Sequence, residues 1–337
     1  MLKIRVLPLP LGLLFALGCA GQVRPSQIAS SPANAPTAPA AAPSPAPAPS
    51  PAPTPAPTPT PAPAPGPGAA PRLFPDASAD WLYSAPTGSA LNISAMASGL
   101  QFFVNTHDGG FDAPVQYADG SLGCTSFTDT RYYNYSDRIC VPNPAGGFHP
   151  SVGGWGANDG HLIVVDRAHG LYYDFWKLLV NAAGQPTSTN VGQVVQGSLG
   201  GNGTPGTTAA VITALAGDIL PGELDCATCL NHALSVIVPG GLNSNQVGTA
   251  APARKTDGTM GGAIFREGAK LRFDPSVNVA ALNASTATKA ILRALQLYGG
   301  AIVDQTGGKG ISFYSALATQ PDLAGINQIG QHLWIYY

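Results

Sequence analysis

The sequence predicts a mainly β fold: an antiparallel β-sandwich of the jelly-roll kind with one or two helices, preceded by a disordered Pro/Ala-rich tether. Three observations support this prediction. Short apolar runs rich in β-branched and aromatic residues recur after residue 72, turn-forming residues separate them, and only one stretch has a convincing helical pattern. An α+β fold with a single sheet is the second possibility.

The clearest strand signal is a hairpin. Residues 161–165 form a β-branched run, 166–170 favour a turn, and 171–180 contain four aromatic residues. Further apolar runs predict strands at 209–215, 233–238, 269–273, 301–304, 311–314 and 333–336.

The predicted helix covers 289–298 and has Ser285 as its capping residue. Ile291, Leu292 and Leu295 fall on one face of such a helix. Gly299 follows the last turn, where a residue in the left-handed region commonly ends a helix.

The N-terminal segment 1–19 has the pattern of a bacterial lipoprotein signal peptide. Lys3 and Arg5 precede an apolar run, and Ala16-Leu17-Gly18-Cys19 resembles a lipobox, so Cys19 would carry the lipid. A plain secretory signal is the alternative. The apolar run is shorter than the ~20 residues that a transmembrane helix needs.

A linker is predicted at 20–71, followed by a single β-rich globular domain at 72–337. Residues 25–71 contain 18 of the 33 prolines and no charged residue. Proline lacks a backbone donor and has a fixed φ, so this stretch predicts an extended polyproline II spacer with a rise of about 3.1 Å per residue. A passive low-complexity tail is the other interpretation.

Charged residues make up only 10% of the chain, and the net charge is −2. All of the acidic residues lie in the predicted domain, and no basic stripe accompanies them. This composition is typical of an extracellular β-rich protein and disfavours nucleic-acid binding.

Apart from Cys19, the chain has four cysteines, which predicts two disulfides in an oxidising compartment. We favour the pairs Cys124–Cys140 and Cys226–Cys229 because each closes a local loop. A zinc site made by all four thiolates is the alternative, although only the second pair has C-x-x-C spacing.

Two segments carry the candidate acid–base residues. Asp159 and His161 are two residues apart, so in extended structure their side chains share one face. Glu223 precedes the 226–229 loop and His232 follows it, so His232 could act as a general base with Glu223 or Asp225 as its acidic partner. A surface turn for the first segment, and a histidine bound to backbone for the second, are the structural alternatives.

A third candidate loop contains Asp257 and Lys255. Asp257 would join the catalytic proton-transfer residues, and Lys255 would meet charge on an acidic or hydroxylated ligand, unless the loop is only a solvated turn. Trp155, Tyr173 and Trp176 are candidates for stacking on sugar rings if they are exposed. No metal site and no cofactor are predicted, although Asp-rich turns could hold a structural calcium ion.

Several motifs together resemble a group of secreted bacterial proteins of uncharacterised function. In chain order they are DGHLIVVD at 159–166, YDFW at 173–176, NHAL at 231–234, PARKTDG at 252–258 and EGAKLRFDP at 267–275. The resemblance implies one integrated domain that works outside the cytoplasm. No catalytic residue can be assigned to this chain from the resemblance.

The predicted function is that of a cell-surface lipoprotein that acts on extracellular polysaccharide as a glycoside hydrolase or polysaccharide lyase. The chain would be anchored to the cell envelope, at the outer membrane or cell surface, through its N-terminal lipid. A non-enzymatic carbohydrate-binding or adhesion module on a stalk is the first alternative, and a structural envelope protein is the second.

Overall fold

The computed structural model describes residues 73–74, 81–107, 111–129, 138–151, 159–246, 253–308 and 310–337. Within these residues the chain forms three β-sheets and two α-helices. The predicted signal segment with Cys19, the predicted linker and Trp155 lie outside the described residues.

The largest sheet is mixed, with parallel pairs at two of its positions. Its seven strands, numbered along the chain and given in spatial order, are β1 (Ala90–Asn92), β14 (Leu333–Tyr336), β11 (Lys270–Phe273), β12 (Gly300–Thr306), β10 (Leu234–Pro239), β13 (Gly310–Phe313) and β2 (Gln101–Val104). The pairs β10–β12 and β13–β2 are parallel, and the other pairs are antiparallel.

Two smaller sheets complete the β structure. The four-stranded sheet has the order β3 (Val115–Tyr117), β6 (Leu162–Asp166), β7 (Leu171–Trp176) and β9 (Gln193–Ser198). The three-stranded sheet has the order β5 (Arg138–Pro142), β4 (Cys124–Asp129) and β8 (Asn190–Val191). In each of them one pair is parallel, β3–β6 and β4–β8 respectively. The predicted mainly β fold is confirmed.

The predicted hairpin is β6 and β7, which pair antiparallel. All five residues of β6 are buried, because its two faces pack into different hydrophobic clusters. Ile163 and Val165 belong to the larger cluster, while Leu162 and Val164 belong to a second one with Phe175. A strand covered on both faces has a continuous apolar sequence, as observed here.

The two α-helices are α1 (Ser94–Ala97) and α2 (Thr286–Leu297). The Ser285 hydroxyl accepts a hydrogen bond from the Thr288 backbone N–H at 3.1 Å, so the predicted cap is confirmed. Gly299 has φ +76°, the left-handed conformation that follows a helix end.

The two predicted disulfides, Cys124–Cys140 and Cys226–Cys229, are both present. The first links β4 to β5 within their antiparallel ladder. The second closes the short loop between Glu223 and His232.

The strand predicted at 209–215 is not a strand. Val211 has φ +66°, and the Thr208 hydroxyl donates to the Ile212 carbonyl at 2.7 Å, which closes a turn. These residues are apolar because the loop lies against the core, not because it joins a sheet: Ala210 and Ile212 are fully buried in the larger hydrophobic cluster.

Candidate functional site

A cavity of about 300 Å³ brings together residues from six separate parts of the chain. Five of the residues predicted from sequence line it. They are Asp159, His161, Trp176, Lys255 and Asp257. The other lining residues are Gln193, Thr207, Thr208, Ala209, Val211, Thr256, Asp304 and Gln305.

One wall of the cavity is built by the hairpin. The Asp159 carbonyl accepts a hydrogen bond from Lys177 N–H at 2.8 Å, which holds the segment before β6 against the end of β7. Trp176 is half-buried, and the Lys177 ammonium lies 4.1 Å from its ring centroid. The hairpin therefore presents an acid, an imidazole and an aromatic ring to the cavity.

His161 is positioned by a single hydrogen bond. Its Nδ1 lies 3.2 Å from the carbonyl oxygen of Phe175, so Nδ1–H donates to the backbone. Among the described residues, no hydrogen-bonding partner contacts Nε2. That nitrogen is thus available to a ligand in the cavity.

A buried acid of β7 holds the 207–211 loop, which also lines the cavity. The Thr207 hydroxyl donates to Asp174 Oδ1 at 2.7 Å, and the Thr207 backbone N–H donates to Asp174 Oδ2 at 3.3 Å. Burial raises the pKa of Asp174 despite these bonds and a nearby histidine. Asp174 is therefore a positioning group that fixes the 207–211 loop from behind.

Asp304, which the sequence reasoning did not select, lies on the cavity wall at a β-bulge. Ile302 pairs with Val236 and Asp304 pairs with Ile237, so Val303 is an extra residue that redirects the strand. Asp304 Oδ1 accepts from the Gln305 N–H at 2.8 Å, and Oδ2 accepts from the Tyr314 hydroxyl at 3.2 Å.

Burial raises the pKa of Asp304 to about 6, and the negative charges of Asp257 and Asp159 add to the rise. The neighbouring His161 acts in the opposite direction and lowers the pKa of Asp304. A carboxyl group with this pKa holds a proton under mildly acidic conditions and can donate it to a ligand.

A second cavity, of about 510 Å³, adjoins the first. The two cavities share Asp159, Asp304 and Gln305, so we call the pair of cavities the cleft. The remaining lining residues of the second cavity are Phe103, Asn105, Phe111, Ile237, Thr306, Gly307, Gly308, Ser312 and Tyr314. Asp159 and Asp304 are thus placed where the two halves of the cleft meet.

Asp257 is held at the cleft by contacts that the sequence did not reveal. Its backbone carbonyl accepts from the Gln305 side chain at 2.9 Å. Burial raises the pKa of Glu267, and the negative charge of the neighbouring Asp257 adds to the rise. Glu267 therefore keeps its proton. Asn243 donates to Glu267 Oε1 at 3.0 Å, while Glu267 Oε2 has no hydrogen-bond partner among the described residues.

Glu223 and His232 form a separate buried pair that lines neither half of the cleft. His232 Nε2 lies 3.1 Å from Glu223 Oε1, and His232 Nδ1 lies 2.7 Å from the Ala233 carbonyl oxygen. Glu223 Oε2 also accepts from the Leu220 N–H at 2.8 Å. The pair ties the disulfide-closed loop to the start of β10.

Tyr173 is 4% exposed and packs in the second hydrophobic cluster, away from the cleft. In the part of the chain that the structure describes, no three His, Cys, Asp or Glu residues are arranged to hold a metal ion.

Residues that sequence reasoning did not select include Asp304, Glu267, Tyr314 and Asn105. Only Asp304 left a signal, as a lone acid at the end of an apolar strand. The other three depend on which elements the fold brings together.

No helix among the described residues is both long and apolar enough to cross a membrane. Comparison with protein families, curated proteins and solved structures gave no match for this chain.

Proposed function

We propose that the protein hydrolyses polysaccharide outside the cytoplasm, held to the cell envelope by a lipid on Cys19. The observation that carries this proposal is the placement of Asp304 and Asp159. Both line the two halves of the cleft, and burial raises the pKa of Asp304 to about 6. Glycoside hydrolysis uses two carboxyl groups, one as an acid and one as a base or nucleophile.

In the proposed reaction the scissile bond lies at the junction of the two cavities. Asp304 donates its proton to the bridging oxygen as the bond from that oxygen to the anomeric carbon breaks. The Asp159 carboxylate either bonds to the anomeric carbon or takes a proton from the attacking water. Water supplies the new hydroxyl group and replaces the lost proton, so both carboxyl groups return to their starting states.

The neighbours of the two acids fit these roles. The Tyr314 hydroxyl donates to Asp304, and burial and the Asp304 charge raise the pKa of Tyr314 well above its usual value, so it stays a donor. His161 Nε2 can accept a hydrogen bond from a sugar hydroxyl or from the attacking water. Trp176 offers a ring on which a sugar can stack.

A second candidate function is cleavage by β-elimination, favoured by the proximity of His161 and Tyr314. Their ring centroids lie 6.0 Å apart. His161 Nε2 would remove the proton next to a uronate carboxylate, Lys255 would meet the charge of that carboxylate, and Tyr314 would protonate the leaving oxygen. The product would be an unsaturated sugar, which ultraviolet absorbance detects.

The test is digestion of a panel of neutral and uronate-containing polysaccharides by a chain that begins at residue 72. We expect new reducing ends without an unsaturated product, and we expect Asp304→Asn to abolish their release. Asp225→Asn is the matched control, because Asp225 is exposed and lines neither cavity. An unsaturated product would favour the lyase, and binding without cleavage would favour the carbohydrate-binding module.

The location is tested separately on the full chain. Cys19→Ser should prevent incorporation of labelled fatty acid and release the protein from the membrane fraction. Incorporation of fatty acid by the Cys19→Ser variant would contradict the proposed lipidation site.

A further inference from the structure

The cleft continues past the two central carboxyl groups into a cavity that the proposed chemistry does not need. This second cavity, of about 510 Å³, is larger than the first, of about 300 Å³. A site that removed a single terminal sugar would need space mainly on one side of the scissile bond. Space on both sides suits a chain that passes through.

The second cavity has aromatic side chains at its surface. Phe111 is 52% exposed, one of the few large hydrophobic side chains left open to solvent among the described residues. Phe103 is half-buried and lines the same cavity. An open ring beside polar groups is suited to packing against the C–H face of a pyranose.

One polar side chain in the same cavity has no described partner. Asn105 is 9% exposed as a residue, and its side-chain amide makes no hydrogen bond to any described residue. Its backbone is fixed, because Asn105 N–H donates to the Phe313 carbonyl at 2.9 Å. The Asn105 amide is not among the fully buried side-chain groups without a partner, and Asn105 lines the cavity, so the amide is accessible to hydroxyl groups of a ligand there.

The acidic side chains that line the second cavity restrict the class of sugar that it can bind. The described lining of the second cavity contains no lysine, arginine or histidine, and its only carboxyl groups are those of Asp159 and Asp304. An anionic sugar would meet these carboxyl groups with no cation among the described lining residues to offset them. An uncharged sugar meets no such penalty.

We propose that the second cavity is a binding subsite for an uncharged hexopyranose unit, stacked on Phe111 and hydrogen-bonded to Asn105. One consequence of this inference rests on the proposed function. If the protein hydrolyses polysaccharide, a sugar bound on each side of Asp304 places the cleavage within the polymer and not at its end.

Binding is measured first, without catalysis. The protein carries Asp304→Asn, and the probes are linear neutral gluco- and manno-oligosaccharides together with oligogalacturonate. We expect the neutral probes to bind more tightly than the uronate probe. Phe111→Ala should raise Kd for the neutral probes about tenfold, and Asn105→Ala should also raise it.

Leu122→Ala is the matched control, because Leu122 is also exposed, at 49%, and does not line the cleft. A Kd unchanged by both Phe111→Ala and Asn105→Ala would overturn the subsite. Equal or tighter binding of oligogalacturonate would overturn the preference for an uncharged sugar.

The cleavage position is measured on the active chain. We expect the viscosity of a neutral polymer to fall early, while few reducing ends have formed, and monosaccharide released from the start would contradict internal cleavage. If the active chain cleaves nothing while Phe111-dependent binding persists, the proposed hydrolysis fails and the subsite stands.

Discussion

His161 and His232 are similarly buried, but their ring nitrogens have different partners. They are 4% and 8% exposed. Both ring nitrogens of His232 contact protein acceptors, Glu223 and the Ala233 carbonyl. His161 uses only Nδ1 within the described structure, and it lines a cavity. The exposed fraction of a histidine therefore does not show whether its side chain binds a ligand or stabilises the fold. A ring nitrogen that faces a cavity and has no described partner does distinguish the two.

The largest expected effect lies beside His161. Asp304→Asn removes the proton donor while keeping the shape of the side chain and its acceptor for Tyr314. Hydrolysis should fall by about 10²- to 10⁴-fold, the range for loss of a positioned acid. The initial rate on the cleaved polysaccharide measures this, with Asp225→Asn as the control. A rate within twofold of the unchanged protein would remove Asp304 from the mechanism.

The next prediction makes the same substitution at both histidines. Asparagine can reproduce the Nδ1–H donor but not Nε2, so His161→Asn keeps the bond to Phe175 and loses the nitrogen that serves the cleft. We expect roughly tenfold lower activity and little change in unfolding free energy. His232→Asn should lower the unfolding free energy by about 2–4 kcal/mol, because Glu223 is left buried without its partner.

Chemical denaturation and initial rates on the same samples separate these two outcomes. Activity should be normalised to folded protein, where His232→Asn should match the unchanged chain. If His232→Asn instead lost activity while remaining as stable as the unchanged chain, the contrast between the two histidines would be wrong.

A third prediction concerns the acids behind the cleft. Burial raises the pKa of Asp112, Asp174 and Asp218. For Asp218 the neighbouring negative charges add to the rise, and neither of its carboxylate oxygens has a hydrogen-bond partner in the described structure. For each of these groups, the folded state therefore shifts the equilibrium toward the protonated form relative to the unfolded chain.

The sign of the effect on stability follows from these raised pKa values. Below the pKa values of the unfolded chain, these carboxyl groups are protonated in both the folded and the unfolded protein, and their stabilisation of the folded protein is complete. This stabilisation is lost as pH rises through the pKa values of the folded protein, which are about 6 for Asp304 and about 9 for Glu267. Tm should be higher at pH 5 than at pH 8. Each group contributes about 1.4 kcal/mol per pH unit between its two pKa values. A Tm that rises from pH 5 to pH 8 would contradict this assignment.

The smallest predicted effect tests the electrostatic interaction between Asp257 and Asp304 in the cleft. Asp257→Asn removes a negative charge that raises the pKa of Asp304. The pKa of Asp304 should fall, so the acid form is lost at lower pH and the alkaline limb of the activity profile moves to lower pH. We expect a shift of less than about one unit, because burial is the larger cause. A shift to higher pH would contradict this electrostatic interaction.

Features set by neighbouring residues were predictable from the sequence. The hairpin, the helix with its Ser285 cap and both disulfides are confirmed, since each depends on short-range pattern or on a short loop. The 209–215 run was predicted wrongly as a strand. Buried residues are apolar in loops as well as in strands, so an apolar run does not by itself indicate a strand. The turn closed by the Thr208 hydroxyl produces no periodic pattern in the sequence.

The cleft was only partly predictable. Asp159, His161 and Asp257 were selected for their chemistry, and the fold places them on one cavity. The bulge at Val303 that directs Asp304 toward that cavity comes from pairing between β10 and β12, which are more than sixty residues apart in the chain. Phe111 and Asn105 meet the same cleft through equally distant contacts, so neither could be identified from its local sequence.

The most direct test of the account is titration of the Asp304 carboxyl group by carbon-13 NMR, with Asp304→Asn used to assign its resonance. We expect a pKa near 6, so that the group still holds its proton when exposed aspartates have lost theirs. A pKa near 4 would leave the cleft without its proton donor and would contradict the proposed hydrolysis.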